Sequence, residues 1–283
     1  LGEWRKAIPE GRDHIQSQAL VWVVAPLLAL SAFLTSTFEI RNGYLRPLLL
    51  VAVAISASFG VLVWRIKAGT AKAAACGALI CFLLTFWTGD TQIWRLRSAL
   101  APLVMLFLLT FAATRAGYAR KSRTGLAEKR EGRSAAQVIA NLGVAGVIAA
   151  ITPLMAVPVL VLAALAEATA DTVSSEVGQA FGGQPRMLTT FRRVSPGTDG
   201  AVTALGTVAG ILAAALVAGT GCWGLRLDLQ KGAIALAAGA AGLFFDSLVG
   251  ATVERRGWLG NDLVNFSSTL FASLVALALL LIF

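Results

Sequence analysis

The chain has 283 residues, of which 57% are hydrophobic and only 14% charged, and its mean hydropathy is +0.75. Soluble domains carry roughly 25% charged residues, so no water-soluble surface can be drawn from this composition and a polytopic, all-α membrane protein is expected. The single histidine, His14, excludes a Ser-His-Asp hydrolase and any multi-histidine metal centre, and Cys76, Cys81 and Cys222 show neither CxxC spacing nor a disulfide framework.

Residues 1–17 mix Glu3, Arg5, Lys6, Glu10, Arg12 and Asp13, unlike the charged end of a cleavable signal. The apolar stretch that follows is long enough to span and has no A-x-A site after it, so it reads as a first membrane helix. Nine apolar stretches are predicted, at 18–38, 47–64, 71–88, 99–116, 135–152, 154–178, 199–220, 231–252 and 264–283. Pro153 and Pro158 split the long run from 135 to 178 into a tight hairpin. Eighteen of the 24 Lys and Arg residues then fall on one side and six on the other. That bias places the N-terminus in the cytoplasm and the C-terminus outside. Trp22, Trp64, Trp87, Trp223 and Trp258 fall near predicted helix ends, as in an interfacial belt.

The informative residues are those that a membrane helix should exclude. The first four spans carry almost no intramembrane acid and receive no chemical role. Residues 118–133 are basic, which suits orientation and anionic lipid rather than nucleic acid. Arg133, Gln137 and Asn141 follow at i, i+4 and i+8, one helical stripe. Alone, that stripe reads as a snorkelling arginine with interhelical hydrogen bonds.

The run 168–178 packs Asp171, Glu176 and four hydroxyls into an apolar helix. A charge at mid-bilayer costs about 2.5 kcal/mol or more, and no basic residue is found near these acids within the bilayer to pair with them. Oxygen-only ligands favour a hard cation such as Mg²⁺. Three arginines follow, Arg186, Arg192 and Arg193, and then Gly197, Thr198, Asp199 and Gly200. Thr198 or Asp199 can cap a helix start there, and the free N–H groups would form an anion site.

Gly239, Gly242, Asp246, Gly250 and Glu254 form a further stripe. Its glycines signal close packing, but Asp246 must face another helix or a cleft. Asn265, Ser268 and Thr269 share a face at the start of the last helix. Under the predicted topology, five segments aim polar groups at the cytoplasmic face.

The strings Gly132–Asn141, Ala170–Gly178, Gly197–Val202, Asp246–Thr252 and Asn265-Phe266 occur in that order. Together they resemble the integral membrane family that includes the phytyl-phosphate kinase of vitamin E (tocopherol) and phylloquinone biosynthesis. The resemblance covers roughly residues 65–283 and makes that segment the catalytic domain, with 1–64 an added tail and two helices. It departs from the family where a glutamine usually follows the Gly-Ala-Thr motif; here Glu254 stands two residues on. The resemblance implies transfer of a phosphoryl group, with CTP as donor, to a prenyl monophosphate such as the phytyl or geranylgeranyl ester.

On this reading Asp171 and Asp246 are the catalytic candidates, and with Glu176 they hold Mg²⁺. Arg133, Arg192, Arg193 and the loop Gly197–Gly200 would bind phosphate, while Gln137, Asn141 and Asn265 would orient nucleotide or acceptor. The expected setting is a bacterial-type plasma membrane or an organellar membrane, with the site on its cytoplasmic or equivalent face. An ion-coupled transporter is the leading alternative, since intramembrane acids also mark ion paths. Clustering of the acids at one face and the lack of clear inverted repeats weigh against it. A CTP-dependent prenyl alcohol kinase or a cytidylyltransferase is a further alternative.

Overall fold

The computed structural model describes residues 8–43, 46–87, 97–155 and 158–283. In hydrocarbon every backbone N–H and C=O must be satisfied within its own segment, so long apolar runs fold as helices. The helices are α1 Glu10–Asn42, α2 Arg46–Arg65, α3 Ala71–Trp87, α4 Leu100–Arg115, α5 Tyr118–Arg123, α6 Ala135–Met155, α7 Pro158–Phe181, α8 Ala204–Leu225, α9 Leu229–Val249 and α10 Asn261–Ile282. A strand pair, β1 Arg186–Met187 and β2 Ala201–Val202, interrupts them between α7 and α8. The chain is an all-α membrane protein, and α1, α2, α8, α9 and α10 are each long and apolar enough to cross a bilayer.

Each predicted stretch is a helix, but several limits differ for tertiary reasons. The first helix begins at Glu10 rather than 18 because its polar start is tied to the turn before α10. Arg12 donates to the Gly257 carbonyl at 3.0 Å, Gln16 to that of Trp258 at 2.8 Å, and Ser17 to Asp262 at 2.6 Å. The sixth helix runs through Pro153, which membrane helices tolerate. Pro158 sits instead in the first turn of α7, where its missing N–H costs nothing. The α6–α7 connection at 156–157 lies outside the described residues, as do Glu3, Arg5, Lys6, Arg95 and the Trp87 side chain.

Helix α7 is the hub. It packs against α4, α6, α8, α9 and α10, and every residue from Val159 to Ala170 is buried. A helix apolar all round belongs inside a bundle, and small residues let its neighbours close in. A Cβ added to Gly206 or Gly210 of α8 would stand 2.5 Å from the carbonyl oxygens of Ser174 or Ala170. Apolar surface points the other way on the outer helices: Val208, Leu212 and Leu216 form an exposed i, i+4, i+8 stripe on α8. Trp22, Trp64, Trp223 and Trp258 are also exposed.

Candidate functional site

The polar half of α7 ends where α6 and α10 begin and α9 finishes. These ends, with the loops 126–133 and 196–203, enclose a cavity of about 430 Å³. It is lined by Arg133, Gln137 and Asn141 from the start of α6, by Asp171 and Glu176 from α7, and by Asp246 from α9. Gly197, Thr198, Asp199, Gly200 and Asn265 complete the set that the sequence singled out. Arg192 and Arg193 do not join it. Both are exposed, because β1 pairs antiparallel with β2 (Arg186 opposite Val202) and leaves the tip 189–193 outside the cavity wall.

The acids sit close together. Asp246 is within Coulombic reach of Asp171, Glu167 and Glu254. Glu254 is buried in a π-helical turn, Gly250–Glu254, that extends α9, and such turns recur at functional sites. The Ser268 hydroxyl donates to Asp246 Oδ2 at 3.3 Å. With its amide nitrogen toward Asp246, Asn265 donates to the same oxygen at 3.3 Å and accepts from Asn141 Nδ2 at 3.3 Å. Three helices are thus cross-linked at this carboxylate. Glu167, one turn below Asp171, is fully buried with neither carboxyl oxygen hydrogen-bonded.

Arg133 is a cation facing these acids, and Lys129 lines the same cavity. Arg133 lies within Coulombic reach of Asp171 and donates to Thr172 Oγ1 at 3.4 Å. Its backbone is clamped to the α2–α3 turn, donating to Ala68 O at 3.1 Å and accepting from Thr70 N at 3.0 Å. Gly132, at φ +78°, allows that approach, since a Cβ there would stand 2.5 Å from the Ala68 carbonyl carbon. Gln137 has a further duty: its Oε1 accepts from Ser134 N at 2.7 Å while Ser134 Oγ accepts from Gln137 N at 3.2 Å. This is a capping box for α6, legible in the Ser-x-x-Gln spacing.

Three expectations are corrected. Glu176 is not without a basic partner: Lys121 of α5 is drawn fully inside and its ammonium pairs with the Glu176 carboxylate. The same ammonium donates to the carbonyls of Thr114 at 2.8 Å and Ala113 at 3.2 Å. Among the described residues no three Asp, Glu, His or Cys side chains cluster as a metal cage, so Asp171, Glu176 and Asp246 do not form one. Helix α8 is also capped by Thr203, whose Oγ1 accepts from Gly206 N at 3.1 Å, and not by Thr198 or Asp199. The stretch 197–200 is a turn, with positive φ at Gly197 and Gly200, pressed against the π turn. A Cβ at Gly250 would lie 2.8 Å from Gly200 N.

The donor set is oxygen throughout: carboxylates, hydroxyls and amide carbonyls, with no sulfur or imidazole in the lining. Mg²⁺ prefers one or two carboxylates plus substrate phosphates to an all-protein cage. Asp171 and Asp246 fit that requirement.

A family model described as integral membrane protein DUF92 matches residues 54–273. The chain is 30% identical over 217 residues to the Arabidopsis thaliana protein VTE6, chloroplastic, covering 72% of this chain and 64% of that one. An uncharacterised membrane protein of Methanocaldococcus jannaschii is 36% identical over 178 residues, 61% of this chain and 72% of its own. One from Synechocystis is 29% identical over 205 residues, 68% and 79% respectively. The match thus spans just under two thirds of VTE6. No solved structure matches.

Proposed function

The chain belongs to the integral membrane protein family DUF92, and from that membership we propose a Mg²⁺-dependent membrane kinase that converts a prenyl monophosphate to the diphosphate with CTP as donor. The observation that carries this reading is the meeting of Asp171, Asp246, Arg133, Asn265 and the 197–200 turn on one polar cavity. Phosphoryl transfer asks for positioning and charge neutralisation more than for covalent chemistry. When bound, Mg²⁺ would neutralise the donor's phosphate oxygens beside Asp171 and Asp246.

Arg133 supplies the fixed positive charge on the protein's side, facing Asp171 and bearing on the acceptor phosphate. The turn at 197–200 brings its backbone to the cavity wall, with Gly197 and Gly200 packed closely on Leu126 and Ala251. Asn265, buttressed by Asn141, sets the orientation of the Asp246 carboxylate. In the transfer, an acceptor phosphate oxygen forms a bond to the γ-phosphorus of CTP, the β–γ bridging P–O bond breaks, and CDP leaves with that electron pair. A monophosphate is largely ionised near neutrality, so it attacks without a general base. His14 lies on the first turns of α1, bonded to Gln18 at 2.8 Å, and is not in the cavity lining.

The test is product formation by purified protein from matched phytol and phytyl monophosphate, with each of the common nucleoside triphosphates and with product mass recorded. Diphosphate formed from the monophosphate, fastest with CTP, is expected. Asp171→Asn and Asp246→Asn should fold and lose turnover by about a hundredfold or more. Preferential conversion of phytol to its monophosphate would replace this reading with an alcohol kinase and recast one of the two acids as base. Glu167, sealed and unbonded, supports the transporter alternative; substrate-driven flux in sealed vesicles without nucleotide turnover would select it.

A further inference from the structure

A second cavity, of about 520 Å³, lies among α2, α3, α4 and α6. Its wall is apolar, built from Phe59, Gly77, Leu106, Phe107 and Leu142. Phe107 meets Phe59 edge-on at 5.3 Å and stacks on Phe111 at 5.8 Å, which fixes the aromatic side. Packed helices close such voids unless something fills them, because unfilled space forfeits contacts.

Its rim is cationic. Arg65 ends α2 and Lys67 follows it, Arg115 ends α4, and Lys129, Arg130 and Arg133 arrive from the loop after α5. Arg115 donates to the Ile66 carbonyl at 3.2 Å, and Arg133 is bonded to the α2–α3 turn, so these charges share one layer. Glu128, Lys129, Arg133 and Asn141 line both this cavity and the polar one, so one carboxylate stands among the rim's cations. An apolar groove therefore opens beside the phosphate site, with Arg133 at the junction.

We propose that the groove seats the head-proximal part of the acceptor's isoprenoid chain while Arg133 and the rim hold its phosphate; this rests on the prenyl-phosphate reading above. From Arg115 to Leu106 the wall is nine residues of helix deep, about 13 Å at ~1.5 Å per residue. A phytyl or geranylgeranyl chain is longer than that. The groove reads the isoprene units next to the phosphate, and the rest of the chain stays in lipid. Selectivity follows saturation and branching near the head and not total length.

The probe is a phosphate monoester of an alkyl chain with a diazirine near its head, photolysed with the full chain in phosphatidylcholine nanodiscs and mapped by mass spectrometry. Adducts are expected on Phe59, Leu106 and Phe107, displaced by phytyl monophosphate and not by phosphatidic acid at equal concentration. A Cβ at Gly77 would meet only the Phe59 ring, at 4.0 Å, so a side chain placed there enters the groove and Gly77→Phe is the plug. Loss of even two buried methylenes from the site lowers labelling about tenfold. Leu142→Phe serves as a second plug should Gly77→Phe not melt like the parent. Adducts that map elsewhere, or that survive both plugs, overturn the groove. Equal displacement by phosphatidic acid assigns it to bilayer lipid and also overturns the proposal. Labelling with no kinase turnover would sink the kinase reading and leave the groove standing; turnover with no labelling would do the reverse.

Discussion

Lys121 carries an ammonium sealed from solvent among two carbonyls and the Glu176 carboxylate. Removing one member of such a pair leaves the other charge buried and uncompensated. Lys121→Met is expected to cost about 3–5 kcal/mol, and Lys121→Met with Glu176→Met much less than the sum of the two single changes. Reversible unfolding in mixed micelles across the four proteins gives the coupling, and simple additivity would dissolve the pair. Glu176 is thereby a brace between α5 and α7. Nothing in the sequence distinguishes Lys121 from Arg120, Arg123 or Lys129; only the packed bundle decides which one is drawn inside. Asp171 and Asp246 were legible because an acid inside an apolar helix must avoid lipid. Arg192 and Arg193 misled because a two-residue strand pairing, too short to show as a pattern, leaves them exposed.

Elements were the most legible scale. Apolar length alone located the long helices, while short α5, with its basic sequence, offered no such run. The polar first turns of α1 escaped because distant partners set them, whereas the cap of α8 is local, Thr203 to Gly206 N, and lies four residues beyond Asp199. One boundary has a pH signature. Asp228 caps α9, accepting from Lys231 N at 2.8 Å and from Lys231 Nζ at 2.8 Å. The Lys231 bonds hold its carboxyl below the ordinary value. A depressed folded pKa stabilises above the unfolded value, ~3.9, and the gain fades as the pH falls through the folded one. Asp228→Ala should therefore lower the melting midpoint at neutral pH, with the gap to the parent narrowing under acid. A gap independent of pH would show that the carboxylate charge contributes nothing.

For the whole molecule, the cavity end and the far end separate cleanly. Arg133 and Asn261 line the same cavity, whereas the Phe283 carbonyl accepts from Gln230 at the start of α9, at 3.4 Å. Combined with the lysine and arginine bias, this predicts Arg130 in the cytoplasm and Phe283 outside. Reporter fusions at 130 and 283 that give the same side would refute the topology and move the proposed site to the wrong compartment for a nucleotide.

The enclosed position of α7 also bears on how the protein is made. It is not among the five helices apolar enough to cross unaided, and it carries Glu167, Asp171 and Glu176. Each acid near mid-membrane costs a lone inserting helix roughly 2.5–3.5 kcal/mol. Yet α7 leaves the ribosome before α8, α9 and α10, three of the helices that shelter it. During synthesis the acid-bearing helix must wait, beside the insertion machinery or shielded by α4 and α6, until its later neighbours enter. Stable insertion of α7 is therefore expected to depend on α8, α9 and α10.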